Sequence, residues 1–227
     1  MNSKAVSETF GAMLVVFVMM LTAGIIYAMS YPVIFSGIDN VNYRNAVKSV
    51  AEIKEILGRM KFGSELVTTK TIQLTMGSVY TSRGAIISFE QGAQNKVYVL
   101  QDLNVELDGK VVTLESGIFE KQQGKVVPIP ISEPLIIATN DTIYFTFYNF
   151  LGNFSASGRV TMSLKHSKTE VFNTSRLEIE SEFCELWKKT IEKVRPEILS
   201  NENCNDGKIV VNRGTQIQVV VVSVEVS

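Results

Sequence analysis

The stretch AVSETFGAMLVVFVMMLTAGIIYAMSYPVIFSGI, residues 5–38, is followed directly by DNVNYRNAVKSVAEIKEILGRM, residues 39–60. The first of these stretches has no charged side chain from Thr9 to Ile38. A helix needs roughly 20 apolar residues to cross the hydrocarbon core of a bilayer, and it satisfies its own backbone polar groups there. A cleaved secretory signal usually has an apolar region of only about 7–15 residues. Residues 6–38 are therefore predicted to form a hydrophobic helix that is shielded from water, rather than the core helix of a soluble domain.

Residues 39–62 are predicted to continue this helix with one apolar face. Apolar side chains recur there at steps of three and four residues, the spacing of one helix face; they are Tyr43, Ala46, Val47, Val50, Ile53, Leu57 and Met60. The other faces carry charges of both signs, whereas a helix on a membrane surface is typically basic, so we expect packing on protein. Pro32 removes one backbone hydrogen bond and is expected to kink or interrupt the helix near Tyr31.

The charges at the start of the chain indicate an orientation. Lys4 lies on the short N-terminal side of the apolar run, which favours a cytoplasmic N-terminus. Glu8 lies at the edge of the run. An unpaired carboxylate in hydrocarbon is costly, so we expect Glu8 to face water or to meet a cation.

The N-terminal region resembles a known family. The leader MNSK, the sequence AVSETFGAML, the uncharged span with its proline and the amphipathic continuation resemble archaeal type IV pilin-like proteins with class III signal peptides. The run NYRNAVKSVAEIKEILGRM resembles the stem of such surface proteins. The resemblance is strong over residues 4–60 and only general over the rest. It implies a long helix that forms the core of a filament and carries a head outside it.

The resemblance also implies processing by a prepilin peptidase, which cuts after the basic leader and before the apolar run. Lys4, Ala5 and Val6 form the candidate bonds, Lys4/Ala5 or Ala5/Val6, so that the leader lies within residues 1–5. Family members often have a glutamate at the fifth mature position. With these two cuts Glu8 is the fourth or the third residue, and it is the fifth only if the cut falls after Ser3.

The assembly implied by the resemblance is a helical homopolymer. Its assembly residues in this chain are Glu8, Phe10, Leu14, Phe17, Leu21 and Pro32. The expected partners are copies of the same chain, the pilus assembly machinery and the prepilin peptidase, with the membrane as the first environment. The expected location is the cell surface, with the N-terminus cytoplasmic before assembly and the head outside.

Residues 63–227 are predicted to form the head, because β-type runs alternate there with turn signals. The predicted strands include Thr71–Met76, Ala85–Phe89, Lys96–Leu100, Thr142–Tyr148, Gly158–His166 and a central strand at Thr215–Val226. Asp108-Gly109 predicts a two-residue hairpin, and Pro128, Pro130 and Pro134 make the extended segment that contains them a poor central strand. Ser181–Val194 has helical periodicity. The predicted fold class is α+β, a long pilin-like N-terminal helix carrying an antiparallel, sandwich-like head with one short late helix.

Two features of the head suit an extracellular location. Cys184 and Cys204 are the two cysteines, and an oxidising compartment favours a disulfide between them. The alternative is a pair of buried thiols. Three N-x-[ST] sequons make Asn140, Asn153 and Asn173 candidate glycosylation sites, although asparagine is also an ordinary turn residue.

Composition and motifs give no support for several functional classes. The chain has 22 basic and 23 acidic residues, which is not the charge pattern of a nucleic-acid-binding protein. It has no P-loop, GxGxxG, HExxH or GxSxG motif, so we expect no enzyme, cofactor or metal site. His166, the one histidine, is predicted to lie on a strand surface, and the acids Glu178, Glu180 and Glu182 are predicted to face solvent. A filament subunit is the favoured function, with a membrane-anchored adhesion or binding protein that does not polymerise as the alternative, and a tethered enzyme as a third.

Overall fold

The computed structural model describes residues 3–91, 94–125, 127–199, 204 and 206–227, without the side chains of residues 3–9, 32–36, 91 and 213–215. The chain has two compact units, of which the first ends at Val41 and the second is Asn42–Ser227. Helix α1 spans Ser3–Lys61 and helix α2 spans Cys184–Val194, with a 3-10 helix at Pro196–Ile198. Because α1 continues through Pro32, the helix is not interrupted near Tyr31, and the kink expected there stays a prediction.

The described part of the second unit contains nine strands in one sheet. They are β1 (Val67–Gln91), β2 (Gln94–Leu107), β3 (Lys110–Leu114), β4 (Ile118–Gln122), β5 (Ile129–Ser132), β6 (Ile136–Ala138), β7 (Thr142–Leu151), β8 (Ser155–Glu180) and β9 (Lys208–Val226). Their order across the sheet is β5-β4-β3-β2-β1-β8-β9-β7-β6.

The predicted fold class, α+β with an antiparallel and sandwich-like head, is wrong. The fold is β-rich, and its described strands form a single sheet rather than two stacked sheets. The sheet is also mixed, because β7 and β9 pair in parallel from Thr142 opposite Gln216 to Leu151 opposite Glu225. β1 pairs with β8 in two separate segments, 67–80 with 155–165 and 86–89 with 177–180, and the residue numbers run in opposite directions within each.

The lengths of the strands explain why the observed sheet differs from the predicted set of short strands. β1, β8 and β9 have 25, 26 and 19 residues, so stretches predicted as separate short strands are parts of one strand. Turn-type residues inside them lie at irregularities of the pairing. The register of β1 against β2 shifts between Arg83 and Ile86, and that of β8 against β9 shifts between His166 and Lys168. A β-bulge of this kind absorbs an extra residue without ending the strand.

The part of α1 that lies in the second unit packs on the sheet, which confirms the predicted apolar face. Ala46, Val50, Ile53, Leu57 and Met60 are fully buried, and Tyr43 and Val47 pack beside them. Polar contacts at the same interface fix the helix, since Lys54 Nζ donates to Ser132 Oγ at 2.7 Å and Lys61 Nζ donates to Thr146 Oγ1 at 2.8 Å.

A second core forms around α2, whose residues Leu186, Trp187 and Ile191 are buried. β9 lies between β8 and β7, as predicted for the central strand. Its valines alternate between the cores, with Val220 and Val222 in the first and Val219 and Val221 in the second. Both faces of β9 are therefore covered, which explains why it is a continuous apolar run rather than an alternating one.

Two local predictions from turn chemistry are confirmed. β2 and β3 form a hairpin in which Leu107 lies opposite Lys110, and Gly109 in the turn has a φ of +66° that other residues rarely adopt. Pro130 lies in β5, at one end of the described sheet, where a missing backbone donor is tolerated.

Candidate functional site

The most unusual surface of the first unit is an exposed apolar helix segment. Phe10–Tyr31 is 22 residues long, has a mean hydropathy of 2.4 and has none of its residues buried. Consecutive residues from Met13 to Leu21 are exposed hydrophobic side chains, so the segment is apolar around its whole circumference. A helix of this kind is found inside a large core or in a membrane. The segment is long and apolar enough to span a membrane or to serve as a signal.

Four of the predicted assembly residues lie in this segment. Phe10, Leu14, Phe17 and Leu21 follow each other at steps of four, three and four residues, so they share one face of the helix. Each is at least half exposed, with Phe10 at 70%. This face is therefore available to lipid or to another helix. The side chains of Lys4, Ala5, Val6, Glu8 and Pro32 lie outside the described residues, although the backbone is helical at all five.

The two cysteines of the second unit form a disulfide. Cys184, the first residue of α2, is joined to Cys204, twenty positions further along the chain. Cys184 is buried in the core around Trp187. A disulfide in this position fits an oxidising, extracellular location.

The three sequon asparagines are all exposed. Asn140 lies in the turn between β6 and β7, and Asn153 lies in the loop between β7 and β8. Asn173 lies within β8, where its Oδ1 accepts a hydrogen bond from Gln218 Nε2 at 3.1 Å. The positions are accessible to a glycosylating enzyme, with loop geometry at two of them.

His166 lies in β8, as predicted, and its Nε2 is 2.9 Å from Thr169 Oγ1. Among the side chains that the structure describes, no group of three histidine, cysteine, aspartate or glutamate residues is arranged to hold a metal ion.

A cavity of about 570 Å³ in the second unit was not foreseen from the sequence. It opens where the pairing of β1 shifts between Arg83 and Ile86, and its lining comes from β1, β2, the β3–β4 turn, the end of β8 and the residues before β9. The lining residues are Ser82, Arg83, Gly84, Ile86, Asp102, Asn104, Glu115, Glu180, Ser181, Glu182, Asp206 and Gly207. Glu180 and Glu182, which alternation along β8 assigns to a solvated face, therefore belong to a concave acidic surface.

Asp102 is the most unusual residue of this cavity. It is only 3% exposed, and its Oδ1 has no hydrogen-bond partner within the described structure. Gly84 makes the room for it, because a Cβ on Gly84 would overlap the Asp102 carboxylate. Burial, together with repulsion from Glu115 and Glu182, raises the pKa of Asp102 well above its usual value.

Glu115 is the second buried carboxyl of the cavity, at 1% exposed. Trp187 Nε1 donates to its Oε1 at 2.5 Å, and Ser181 Oγ donates to its Oε2 at 2.9 Å. Burial raises the pKa of Glu115 to about 7, although these two hydrogen bonds oppose the shift, and Glu182 adds to it by repulsion. Both oxygens of Glu115 are thus held in fixed positions.

The sequence contains a signal for Asp102. In β2, Leu103, Val105 and Leu107 belong to the core beneath α1, whereas Leu100, Asp102 and Asn104 share the opposite face. Leu100 on that face is also fully buried. The signal in the sequence is a carboxylate two residues after Leu100, on the same face of the strand, and the structure shows that this face is buried.

Comparison with known proteins places the chain in a wider group. It matches the model of the family of unknown function DUF7289 over residues 4–227. It is similar to an uncharacterized protein of Archaeoglobus fulgidus, with 42% identity over 258 aligned positions that cover 100% of this chain and 98% of the relative. No solved structure matches the chain. The similarity extends over both units.

Proposed function

This chain belongs to the family of unknown function DUF7289, and we propose that it is a structural subunit of a cell-surface filament of the archaeal type IV pilus kind. The observation that carries the proposal is the segment Phe10–Tyr31, exposed and apolar on every side, within the same helix whose residues 42–61 are locked to a folded β-rich unit. Such a segment requires shielding from water by lipid or by other apolar helices.

The same segment serves both stages of assembly. Before assembly it lies in the membrane, with the N-terminus cytoplasmic and Asn42–Ser227 outside. After assembly, copies of the segment pack against each other along the face that includes Phe10, Leu14, Phe17 and Leu21. Transfer from lipid to a helix bundle gains little hydrophobic free energy, so packing and polar contacts decide the geometry. Glu8 supplies one such contact by meeting a cation, for which a neighbour's free amino terminus is suitable.

Two further features support an extracellular location for the second unit. The Cys184–Cys204 disulfide fits an oxidising compartment, and the sequon asparagines are exposed. In this proposal a prepilin peptidase removes the leader at Lys4/Ala5 or Ala5/Val6, and the assembly machinery extracts the subunit from the membrane. The proposal assigns no catalytic, metal-binding or cofactor-binding residue to the filament role.

A membrane-anchored surface protein that does not polymerise is the second candidate. It is favoured by the length of the apolar segment, since 22 residues at about 1.5 Å each match the roughly 30 Å hydrocarbon core of a bilayer. The anchor then needs no partner other than lipid, and Asn42–Ser227 acts as an adhesion or binding module.

Imaging of sheared surface material distinguishes the two candidates. The chain is expressed in an archaeal host, filaments are sheared from the cells, and the fraction is examined by negative-stain microscopy and by mass mapping of the N-terminus. The filament proposal expects the chain in regular filaments, with a new N-terminus at Ala5 or Val6. Recovery of the chain only in the membrane fraction, with no filaments, supports the anchored alternative.

A further inference from the structure

The filament proposal leaves the acidic cavity of the second unit without a use. Five carboxylates line it, namely Asp102, Glu115, Glu180, Glu182 and Asp206, against one guanidinium, that of Arg83. Lysines neutralise the rim, where Lys121 Nζ lies 2.6 Å from Glu182 Oε2 and Lys208 Nζ lies 3.2 Å from Glu180 Oε2. The two buried carboxyls, Asp102 and Glu115, have no ion-pair partner in the described part of the chain.

A comparison of Asp102 with Asn104 shows that, of these two described side chains, only that of Asp102 has an oxygen without a hydrogen-bond partner. Both are buried on the same face of β2. Asn104 is satisfied at both ends, since its Nδ2 donates to Ser82 Oγ at 2.8 Å and its Oδ1 accepts from Thr113 Oγ1 at 2.8 Å. The Oδ1 of Asp102 has no partner within the described structure. Buried polar groups in folded proteins almost always have partners, so an exception of this kind needs an explanation, such as a ligand that supplies the donor.

The surroundings of these carboxyls are built to hold them in place. Gly84 leaves space that any larger residue would take from the Asp102 carboxylate. On the other side, the indole of Trp187 and the hydroxyl of Ser181 fix the Glu115 carboxylate at 2.5 and 2.9 Å. Because both carboxyls are almost completely buried, they attract a cationic donor more strongly than the same groups do in water.

The volume of the cavity and the arrangement of its acidic side chains decide which kind of cation fits. A volume of about 570 Å³ lies within the usual range of sites for organic ligands, roughly 300–1,000 Å³, and far exceeds one ion. No three described carboxylate, histidine or cysteine side chains converge to hold a metal. A primary ammonium group, in contrast, carries a charge and three N–H donors on an organic body that fills the remaining volume.

We propose that the cavity between Asp102 and Glu115 binds an organic ligand through a primary ammonium group. The ammonium pairs with the buried carboxylate of Asp102, which lines the cavity, and lies near Glu115, and Asp206 adds negative charge at the opening. A free diamine or polyamine and the lysine side chain of another protein share this chemistry. The site is independent of the helix that carries the filament proposal.

Binding to the full chain in detergent tests the proposal. The probes are 1,4-diaminobutane and spermidine for free amines, Nα-acetyl-lysine amide for a protein side chain, and CaCl2 for a metal. Trp187, the one tryptophan, reports occupancy by fluorescence because it is bonded to Glu115, and calorimetry gives the affinity. We expect saturable binding of at least one amine probe with a Kd below about 1 mM, in NaCl of matched ionic strength.

Variants connect this binding to the cavity. Asp102→Asn keeps the size of the side chain beside Gly84 and is expected to weaken amine binding by about tenfold or more. Asp108→Asn, at the exposed β2–β3 turn, is the matched control and should bind as the wild type does. If Asp102→Asn fails to fold, Glu182→Gln at the exposed rim is used instead. It leaves Lys121 unpaired beside the opening, where the lysine repels a cation, and the expected weakening is about threefold.

The outcomes are distinct. Preferential binding of spermidine or diaminobutane identifies a small-molecule site, and preferential binding of the lysine amide identifies a site for a protein side chain. Each supports the proposal. No saturable binding of any amine, binding of Ca²⁺ without amines, or equal affinity of wild type and the cavity variant would overturn it. Filament formation is scored separately, so failure of either proposal leaves the other intact.

Discussion

Trp187 and Glu115 are joined by a hydrogen bond of 2.5 Å from the indole Nε1 to Oε1, between α2 and the turn that links β3 to β4. The bond places the chain's one tryptophan directly on a buried carboxyl whose pKa is raised to about 7. The fluorescence of Trp187 is therefore a built-in reporter of the ionisation of Glu115.

The first prediction concerns pH. The folded pKa of Glu115 lies above its ordinary value of 4.5, so the folded state holds this proton more tightly than the unfolded state does. Stability from this group is fully present below about pH 4.5 and is lost as the pH rises through about 7. We expect the free energy of unfolding to fall by on the order of 1–3 kcal/mol between pH 5 and pH 8. Urea unfolding followed by Trp187 fluorescence measures it.

The matched variants for this prediction are Glu115→Gln and Glu185→Gln. Glu115→Gln keeps an acceptor for Trp187 and should remove most of the pH dependence, with a remainder from Asp102, whose pKa is also raised by burial and repulsion. Glu185 is exposed in α2, so its variant should behave as the wild type does. A pH profile that is unchanged in Glu115→Gln would contradict the assignment.

The second prediction concerns the packing of α1 on the sheet. Leu57 is fully buried, whereas Glu55 two residues earlier is exposed. We expect Leu57→Ala to lower the free energy of unfolding by about 2–5 kcal/mol, because it removes buried methyl groups and leaves a cavity. Glu55→Ala should change it by less than about 0.5 kcal/mol. Equal effects of the two substitutions in urea unfolding would mean that residues 42–61 do not pack on the sheet as described.

The third prediction concerns the disulfide. Cys184 and Cys204 enclose a loop with a sequence separation of 20. Closure of such a loop lowers the entropy of the unfolded chain, so its loss should cost about 3 kcal/mol. The measurement compares urea unfolding of the wild type, the reduced wild type and the double variant Cys184→Ser/Cys204→Ser. Intact-mass analysis after alkylation without reductant should find no modified thiol in the wild type, and two alkylated cysteines there would contradict the pairing.

The fourth prediction rests on the filament proposal. Replacement of Glu8 by leucine removes a charge at the edge of the apolar run, so membrane insertion should be normal or improved. Ordered assembly should be impaired, because the proposed cation of the neighbouring subunit loses its partner. Microscopy of sheared material and immunoblots of membranes measure the two effects. Glu55→Gln, on the exposed side of α1, is the control, and normal filaments from Glu8→Leu would exclude an assembly role for Glu8.

The fifth prediction ranks the sequons. Asn153 is exposed in a loop, whereas Asn173 lies within strand β8 and is hydrogen-bonded to Gln218. Since loops adapt to an enzyme more readily than paired strands do, Asn153 should carry a glycan at higher occupancy than Asn173. Glycopeptide mass spectrometry of protein from the native host measures the occupancy. Asn153→Gln should remove the corresponding glycopeptide, and a higher occupancy at Asn173 would reverse the ranking.

The helical elements are readable from sequence because their signals are local. The apolar positions of residues 39–62 repeat at helical spacing, and the buried face that results is the predicted one. Helix α2 is predicted in the same way, with Pro196 just beyond its end. A turn that contains a glycine with a positive φ, such as Gly109, can likewise be predicted without knowledge of distant parts of the chain.

The sheet is different, because its connectivity is decided by contacts between residues that are far apart in sequence. Gly84 illustrates the difficulty. It lies between the separately predicted strands Thr71–Met76 and Ala85–Phe89, whereas in the fold it lies inside β1, at a bulge that accommodates Asp102 from β2. The parallel pairing of β7 with β9 likewise cannot be predicted from the local sequence pattern of either strand. The acidic cavity depends on both the bulge and the sheet order, so only the fold brings its carboxyls together.

The position of β9 has a consequence for biogenesis. It is the last of the nine described strands to leave the ribosome, yet β8 and β7 both hydrogen-bond to it, and its valines contribute to both cores. Both cores of the β-rich unit are therefore incomplete until residues 208–226 have been synthesised. Under the filament proposal, in which this unit crosses a membrane, the sheet is completed only after β9 has reached the far side.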